Sequence, residues 1–409
     1  MRKTKSNQEK NEREALKMNL KNLKKKIQGI TLIALVVTVI VLLILAGVAI
    51  NLTVGDNGLF KRAQNAADTW QMAELNEQKK MEQARDFLDD YSNNITRVDG
   101  VPIPNGFYYV GGEKNTGLII SDDSADKNKY SKDNWSDQSN IPSGAEKEIG
   151  LSGEIEQISG NQFVWIPVIN FKRCLSYVDG KLNNEYFNAC EEPYKDAAKW
   201  EIDEYSSMLE SVTRYSGFYI ARFEASEEEN KIISKPGIKP LGYTSWGDSN
   251  TEIGNDGAVY KAQNMYQDFE TYGVTSTLPY GIEWDAIMSF IDPNYLNEDG
   301  TCQSFVSDST GKGNNGDDEN TNEWKGYVVE CGISDDYRIK NIYDLNGNVQ
   351  EWTMEVHRRN TDEGDYIGRV YRGGSIYYKG KSFPASYRND VEPKYYNVVT
   401  MGFRVALYI

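Results

Sequence analysis

The longest hydrophobic run in the chain is a stretch of twenty-one residues, Ile30 to Ile50, apolar except at Thr31, Thr38 and Gly47. At ~1.5 Å rise per residue it predicts ~30 Å of helix, enough to cross a bilayer. Residues 1–29 before it are polar and basic, so the positive-inside rule places them in the cytoplasm and everything from residue 51 outside. Gly55-Asp56-Asn57-Gly58 interrupts the pattern. Residues 59–90 then carry good helix formers with only a weak apolar stripe (Leu59, Ala63, Ala66, Trp70, Ala73), as in a stalk or the outer half of a longer helix. From residue 98 the pattern shortens to strand length. Phe107–Val110, Phe163–Val168 and Gly217–Phe223 read as strands, and residues 281–291, after the Pro279 turn, as an amphipathic helix. The polar stretches 121–150 and 308–323 read as surface insertions. The expected organisation is a cytoplasmic leader (1–29), a membrane helix (30–50), a helical stalk and linker (51–97) and an α+β globular domain (98–409).

Charge is divided unevenly between these parts. Residues 1–29 hold ten Lys/Arg and three Asp/Glu, a net +7, so the remainder carries −23 of the total −16. An acidic body of that size repels phosphates, which excludes nucleic acid as a partner. With 27 Tyr, 8 Trp and 35 Gly the body is rich in aromatics and loops, a composition suited to recognition. The four cysteines, Cys174, Cys190, Cys302 and Cys331, lack the density of a disulfide framework and the spacing of an all-cysteine zinc site. Pairs 174–190 and 302–331 and free buried thiols are both open.

The segment Lys24-Lys25-Lys26-Ile27-Gln28-Gly29, followed by Ile30-Thr31-Leu32-Ile33, resembles a type IV prepilin leader cut between Gly29 and Ile30. That resemblance implies a prepilin peptidase and pilus subunits as partners, in addition to the membrane. The fifth residue after the cut, where pilins carry Glu, is Ala34. In pilins the Glu is thought to neutralise the N-terminal amine of a neighbouring subunit, since an unpaired charge in an apolar filament is costly. A minor, tip-located pilin-like subunit is therefore the expectation, rather than a major one.

Five motifs in the body occur in a telling order: Gly217-Phe218-Tyr219-Ile220-Ala221-Arg222-Phe223-Glu224-Ala225-Ser226, Leu278-Pro279-Tyr280-Gly281-Ile282-Glu283-Trp284-Asp285-Ala286, Ile342 to Trp352, Arg372-Gly373-Gly374-Ser375, and Gly402-Phe403-Arg404-Val405-Ala406-Leu407. Together they resemble the formylglycine-generating (sulfatase-modifying factor) family, which implies a C-type-lectin-like core over residues 98–409. The resemblance also implies a calcium ion held by the carboxylates of Asp344 and Glu351 and the backbone carbonyls of Gly347 and Val349, chemically reasonable because a hard cation takes oxygen ligands. Without the family, the same loop is a turn whose Glu351 pairs internally with Arg372 or Arg404. The resembled enzymes bind copper through two cysteines shortly after Arg-Gly-Gly-Ser. Here Ile376 to Arg388 contains none. Related oxygenases hold iron with histidines, and this chain owns a single one, His357, which beside Arg358 and Arg359 reads as a surface residue. Neither copper nor iron is expected, and the chain is read as non-catalytic.

Tyrosines and polar side chains replace those cysteines: Tyr377, Tyr378, Lys379, Lys381, Tyr387, Arg388, Asn389, Tyr395, Tyr396 and Asn397. Tyr offers contact area at low entropic cost, and Lys and Asn offer adaptable hydrogen bonds. With Trp352 and Arg372 these residues form the candidate ligand-binding set, suited to a protein or glycan, and Gly373, Gly374, Gly402, Phe403 and Arg404 frame it. The layout also resembles that of lectin-fold variable proteins diversified by retroelements between the same two motifs. Glu283 and Asp285 are read as structural anchors, because residues two apart on a helix face different sides.

Overall fold

The computed structural model describes residues 11–22, 35–46, 77, 95–127, 158–173, 177–178, 181–182, 188–249, 252, 254–293, 304–317, 325–362, 364–395 and 398–409. The chain divides into two compact units, Met1–Leu88 and Asp89–Ile409. In the first, residues 11–22 and 35–46 are helical and exposed. No helix among the described residues is long and apolar enough to cross a membrane. Of the apolar run from 30 to 50 only the twelve-residue helix 35–46 is described, so a spanning helix lacks support. Gly29, Ile30 and Ala34 lie outside the described residues.

The second unit mixes α and β structure around two sheets. A six-stranded antiparallel sheet runs in the order Thr275–Thr277, Ala406–Tyr408, Gly217–Ala221, Gln162–Pro167, Ile119–Ser121, Tyr108–Gly111. Its central strand Gly217–Ala221 is buried at every position, which is why the sequence there is a continuous apolar run rather than an alternating one. The helix Lys199–Tyr215, which the sequence reading missed, packs Met208, Val212 and Tyr215 inward at helical spacing. It ends at Ser216, whose left-handed backbone turns its amide back to the Val212 carbonyl.

The second sheet is built on a long hairpin, Gln350–Thr361 with Gly364–Arg372, flanked by Arg388–Val391 and by Met401–Phe403, which runs parallel to the first strand. Cys190–Glu191 pairs with the outer half of Gln350–Thr361. Register explains why distant motifs belong together. Glu351 lies opposite Arg372 on one side and Gly402 on the other, and Trp352 lies opposite Phe403.

Three indoles join separate segments through their N–H groups. Trp284 donates to the Ala385 carbonyl (2.9 Å), Trp352 to that of Thr244 (2.7 Å) and Trp246 to that of Thr353 (3.0 Å). All three are fully buried, and a buried indole N–H needs such a partner.

The helix Gly281–Ile291 forms over the residues expected from the sequence. Its first turn leaves amides without intrahelical partners. The Glu283 carboxylate reaches back to the Tyr280 amide (2.8 Å), and Glu192 accepts from those of Gly281 and Ile282. Glu283 and Asp285 are thus buried anchors, as read from the sequence.

Residues 308–317 are only partly the surface insertion expected: Asp308, Thr310, Gly311 and Lys312 are exposed, but the rest is drawn inward. Ser309, Asn314, Asn315 and Asp317 are buried, because this stretch lies against the Asp344–Glu351 loop. Asn348 donates its amide to the Asn314 carbonyl (2.8 Å), and at Gly347 (φ 92°) a Cβ would come 2.5 Å from that same carbonyl. Only glycine fits there. Within the other expected insertion, Ser121 and Asp126 are buried and hydrogen-bonded to each other (2.7 Å), while residues 128–150 lie outside the described residues.

Candidate ligand-binding face

The Arg-Gly-Gly-Ser and Gly-Phe-Arg motifs supply arginines that the fold buries completely. Arg404 grips Glu351 with Nε and Nη2 (2.8–3.2 Å) and donates to the carbonyls of Ala221 and Tyr343 (2.9 and 2.8 Å). Of the two internal partners open to Glu351, the structure selects Arg404. Arg372 donates to Asp285 Oδ1, and Arg388 spans Asp285 Oδ2 (2.9 Å) and Glu355 Oε2 (3.1 Å). Arg173, partly exposed, closes this network against Glu192 (3.0 Å), Glu355 (3.4 Å) and Asp285 (3.5 Å). Burial alone would raise the Asp285 pKa, but Arg388, Arg372 and Arg173 hold it below the usual carboxylate range. Glu192 is pushed up to about 7 by burial, against the pull of Arg173.

These contacts correct part of the expected ligand set. Trp352, Arg372 and Arg388 are fully buried and Tyr387 is nearly so, and none offers surface to a ligand. Strand position decides this for Arg372 and Arg388, which face each other across Gly364–Arg372 and Arg388–Val391 on the side that holds Asp285 and Glu355. Tyr387 packs against Phe383 (4.3 Å between ring centroids), and Asn389 donates to the Tyr371 hydroxyl (2.9 Å).

His357 is also corrected. It is buried, and its Nδ1 lies 2.6 Å from Asp390 Oδ1. Arg358, its half-buried neighbour, points to the opposite strand face, and the exposed Arg359 lies further along the hairpin where the strand leaves the core, so neither reports the burial of His357. Gly368, opposite His357 in the hairpin, leaves room for this contact, since a Cβ there would meet Asp390 Oδ2 at 2.4 Å.

Tyr377, Tyr378, Lys379, Lys381 and Tyr395 are exposed. Tyr396 and Asn397 lie outside the described residues. Among the described residues of this unit the large exposed hydrophobic side chains are Ile169, Ile202, Tyr243, Phe269, Tyr327, Tyr377, Tyr378 and Tyr395, and five of these eight are tyrosines. Two of them, Tyr243 and Tyr327, were missed in the sequence because each sits in a segment distant from the C-terminal loop. Backbone contacts bring those segments in. Asn314 donates to the Tyr327 carbonyl (2.9 Å), and Gly316, two residues on, donates to that of Tyr378 (2.8 Å). The Tyr243 amide donates to the Val398 carbonyl (3.1 Å), close in sequence to Tyr395. The loop itself is pinned: Gly380 donates to Asp317 (3.0 Å), and Tyr378 stacks on Phe383 with ring centroids 4.0 Å apart. Exposed aromatics on a fixed backbone bind without a large ordering cost.

Around the expected calcium loop, Glu351 is committed to Arg404, whereas Asp344 accepts one bond, from the Gly332 amide (3.3 Å), and its buried Oδ1 has no partner. Burial pushes the Asp344 pKa up to about 7. Glu224, from the strand motif, accepts from Asn348 Nδ2 (2.6 Å) and the Val349 amide (3.0 Å), and ligand atoms of Glu224, Cys331 and Asp344 lie within 4.8 Å of one another. Cys190 and Cys331 are free thiols, and their possible partners Cys174 and Cys302 fall outside the described residues. Burial, reinforced by Glu355 for Cys190 and by Glu224 for Cys331, raises both pKa values and holds both groups protonated.

Residues 335–409 match the family described as sulfatase-modifying factor enzyme 1-like domain, a stretch that holds the last three of the five motifs and less than half of the chain. No curated protein matches the sequence. Among solved structures, CarF is 13% identical, with 62% of this chain and 100% of that one covered and a TM-score of 0.32. PvdO from Pseudomonas aeruginosa is 10% identical (61% and 95% covered, TM-score 0.31), and the M1 variant of the major tropism determinant is 14% identical (47% and 51%, TM-score 0.25). Likeness at these scores says nothing of what this chain binds. Residues 335–409 are thus similar to a sulfatase-modifying factor enzyme 1-like domain.

Proposed function

We propose that this chain is a non-catalytic binding protein displayed at the cell surface, whose tyrosine-bearing face takes a protein or glycan ligand. The observation that carries the reading is the concentration of exposed tyrosines on the 376–395 loop and on the two segments bonded to it, over a scaffold whose buried Arg388 and Arg404 are bonded to internal carboxylates. The absence of cysteine from residues 376–388 supports the non-catalytic part, since that is where the resembled enzymes place their copper-binding thiolates. Display rests on the sequence: the apolar run 30–50 behind a basic leader serves as anchor, and the leader makes a prepilin-like, tip-located subunit the form of display. Diversification of the loop by a retroelement belongs to the same proposal. A calcium held by Asp344 and the carbonyls of Gly347 and Val349 completes it, supported by the unpartnered Asp344 Oδ1.

The test is binding of the full-length protein to an array of bacterial and host glycans and surface proteins. A hit should weaken by about tenfold or more when Tyr377 and Tyr378 are changed to Ala, the range for a central aromatic contact. A hit indifferent to Tyr377, Tyr378, Tyr327 and Tyr395 would remove the face from consideration.

A further inference from the structure

A concave site of the same unit is lined by none of the exposed tyrosines. A cavity of about 730 Å³ opens between the turn at Lys114, the end of the strand Gln162–Pro167, and the last turns of the helix Gly281–Ile291. Its apolar wall includes Val168, Ile169 and Phe290, and its charged side chains are Lys114, Lys172 and Lys340; among the described lining residues there is no carboxylate. In a body carrying −23, three lysines around one apolar hollow without an acidic neighbour in its lining are an inversion of the local charge.

Lys340 is held in place rather than left to sweep through solvent. It and Asn341 both adopt left-handed backbone (φ 50° and 66°), a conformation that costs energy for non-glycine residues and persists only where the surroundings fix it. The surroundings are visible. Arg222 Nε donates to the Asn341 carbonyl (3.0 Å), the buried Asn341 side chain donates to the Gly117 carbonyl (2.8 Å), and a Cβ on Gly117 would sit 2.1 Å from the Lys340 carbonyl. The ammonium that this turn presents lies 5.2 Å from the Phe290 ring centroid and bonds the Asn115 carbonyl (2.8 Å). Burial lowers its pKa. Helix C-termini also attract lysines. However, Lys114 and Lys172 belong to neither helix that borders the cavity, and Ile169 at the rim is 98% exposed, an apolar surface that a helix-end role leaves unexplained.

We infer that this cavity binds a small amphiphilic anion, a carboxylate or phosphate carried on a short apolar body, with Lys340 as the fixed counter-ion and Lys114 and Lys172 as adjustable ones. The volume falls within the ~300–1,000 Å³ of small-molecule sites, and an apolar wall with few charged groups is their usual make-up.

Isothermal titration of the full-length protein with octanoate, octyl phosphate and octyltrimethylammonium tests this. One or both anions should bind, weakening as salt is raised, and the cation should not. The ratio of the two anions assigns the head group. Lys340→Gln should weaken the bound anion by about tenfold, Lys114→Gln and Lys172→Gln by about threefold each, and Lys340→Arg should keep most of the affinity. Equal binding of the cation overturns the proposal, as does failure of both anions to bind. So does unchanged affinity in a Lys340→Gln protein whose unfolding curve matches the parent's. Inorganic phosphate binding as tightly as octyl phosphate would overturn the apolar half of the assignment.

Discussion

Two regions of the C-terminal motif block use similar side chains to opposite ends. Between Arg372 and Arg404 the chain carries arginines that are wholly buried against internal carboxylates, and in the same stretch it carries tyrosines and lysines that are exposed. Arg388 and Lys381 are seven residues apart. The first spans Asp285 and Glu355, while the second is exposed. Motif membership therefore marks framework, and the residues between motifs mark what the framework presents. A buried ion pair is weak evidence of stability but good evidence of fixed geometry, since removing either partner strands a charge in the interior.

The comparison breaks most sharply at Arg404. Arg404→Met leaves Glu351 buried without its cation and should cost about 3–5 kcal/mol, read as a shift in urea unfolding midpoint at constant slope. Survival of the fold with a loss below about 1 kcal/mol would mean that Glu351 takes a proton or another partner.

Slightly smaller is the expected contrast between two tyrosines ten residues apart. Tyr387→Ala removes a buried ring packed against Phe383 and should cost about 3 kcal/mol, whereas Tyr377→Ala should stay within about 0.5 kcal/mol and affect only ligand binding. Equal effects on stability would erase the division between framework and face.

A pH series sharpens it further. Burial raises the Glu283 carboxyl from its ordinary value of 4.5 to about 8, and Glu192 and Asp344 reach about 7. The folded state thus holds these protons more tightly than the unfolded one, so their contribution is full below about pH 4 and is lost as pH rises towards 8. Asp285 has the opposite sign, its contribution being present above about pH 4 and lost in acid. Urea midpoints should accordingly fall between pH 5 and pH 8, and Glu283→Gln should flatten that fall. A midpoint that rises over this interval in the parent would contradict the burial of all three acids.

The smallest expected effect concerns the calcium loop. Millimolar calcium should raise Tm by a few degrees over a chelator, as mass action requires of a ligand that binds only the folded state, and Asp344→Asn should abolish the rise. No difference between calcium and chelator would remove the ion from the proposal.

Sequence reading found what periodicity and turn chemistry encode. The Pro279 turn and the apolar spacing after it located Gly281–Ile291 to the residue, and the apolar run around Phe218 located the strand next to Ala406–Tyr408. It erred where direction depends on partners far away in the chain. Arg372 and Arg388 look like ligand contacts until Asp285, about ninety and a hundred residues earlier, is found between them. Asn314 and Asn315 look like solvated loop until their side-chain amides are seen to donate to the side-chain oxygens of Asn348 and Asn346 in the Asp344–Glu351 turn (3.2 and 3.1 Å). A polar residue is buried only when its partners are, and a linear pattern does not contain them.

The final strands have a consequence for how this body comes into being. Met401–Phe403 completes one sheet beside Gln350–Thr361, and Ala406–Tyr408 enters the other between Thr275–Thr277 and Gly217–Ala221. Both positions follow every other strand in sequence. During vectorial synthesis the central strand Gly217–Ala221 therefore emerges almost two hundred residues before its neighbour, with one edge unpaired, and neither sheet can close meanwhile. Closure of both sheets waits for residues 401–408. A ribosome stalled short of residue 400 would hold a chain with open sheet edges, the kind of nascent species that chaperones are drawn to shield.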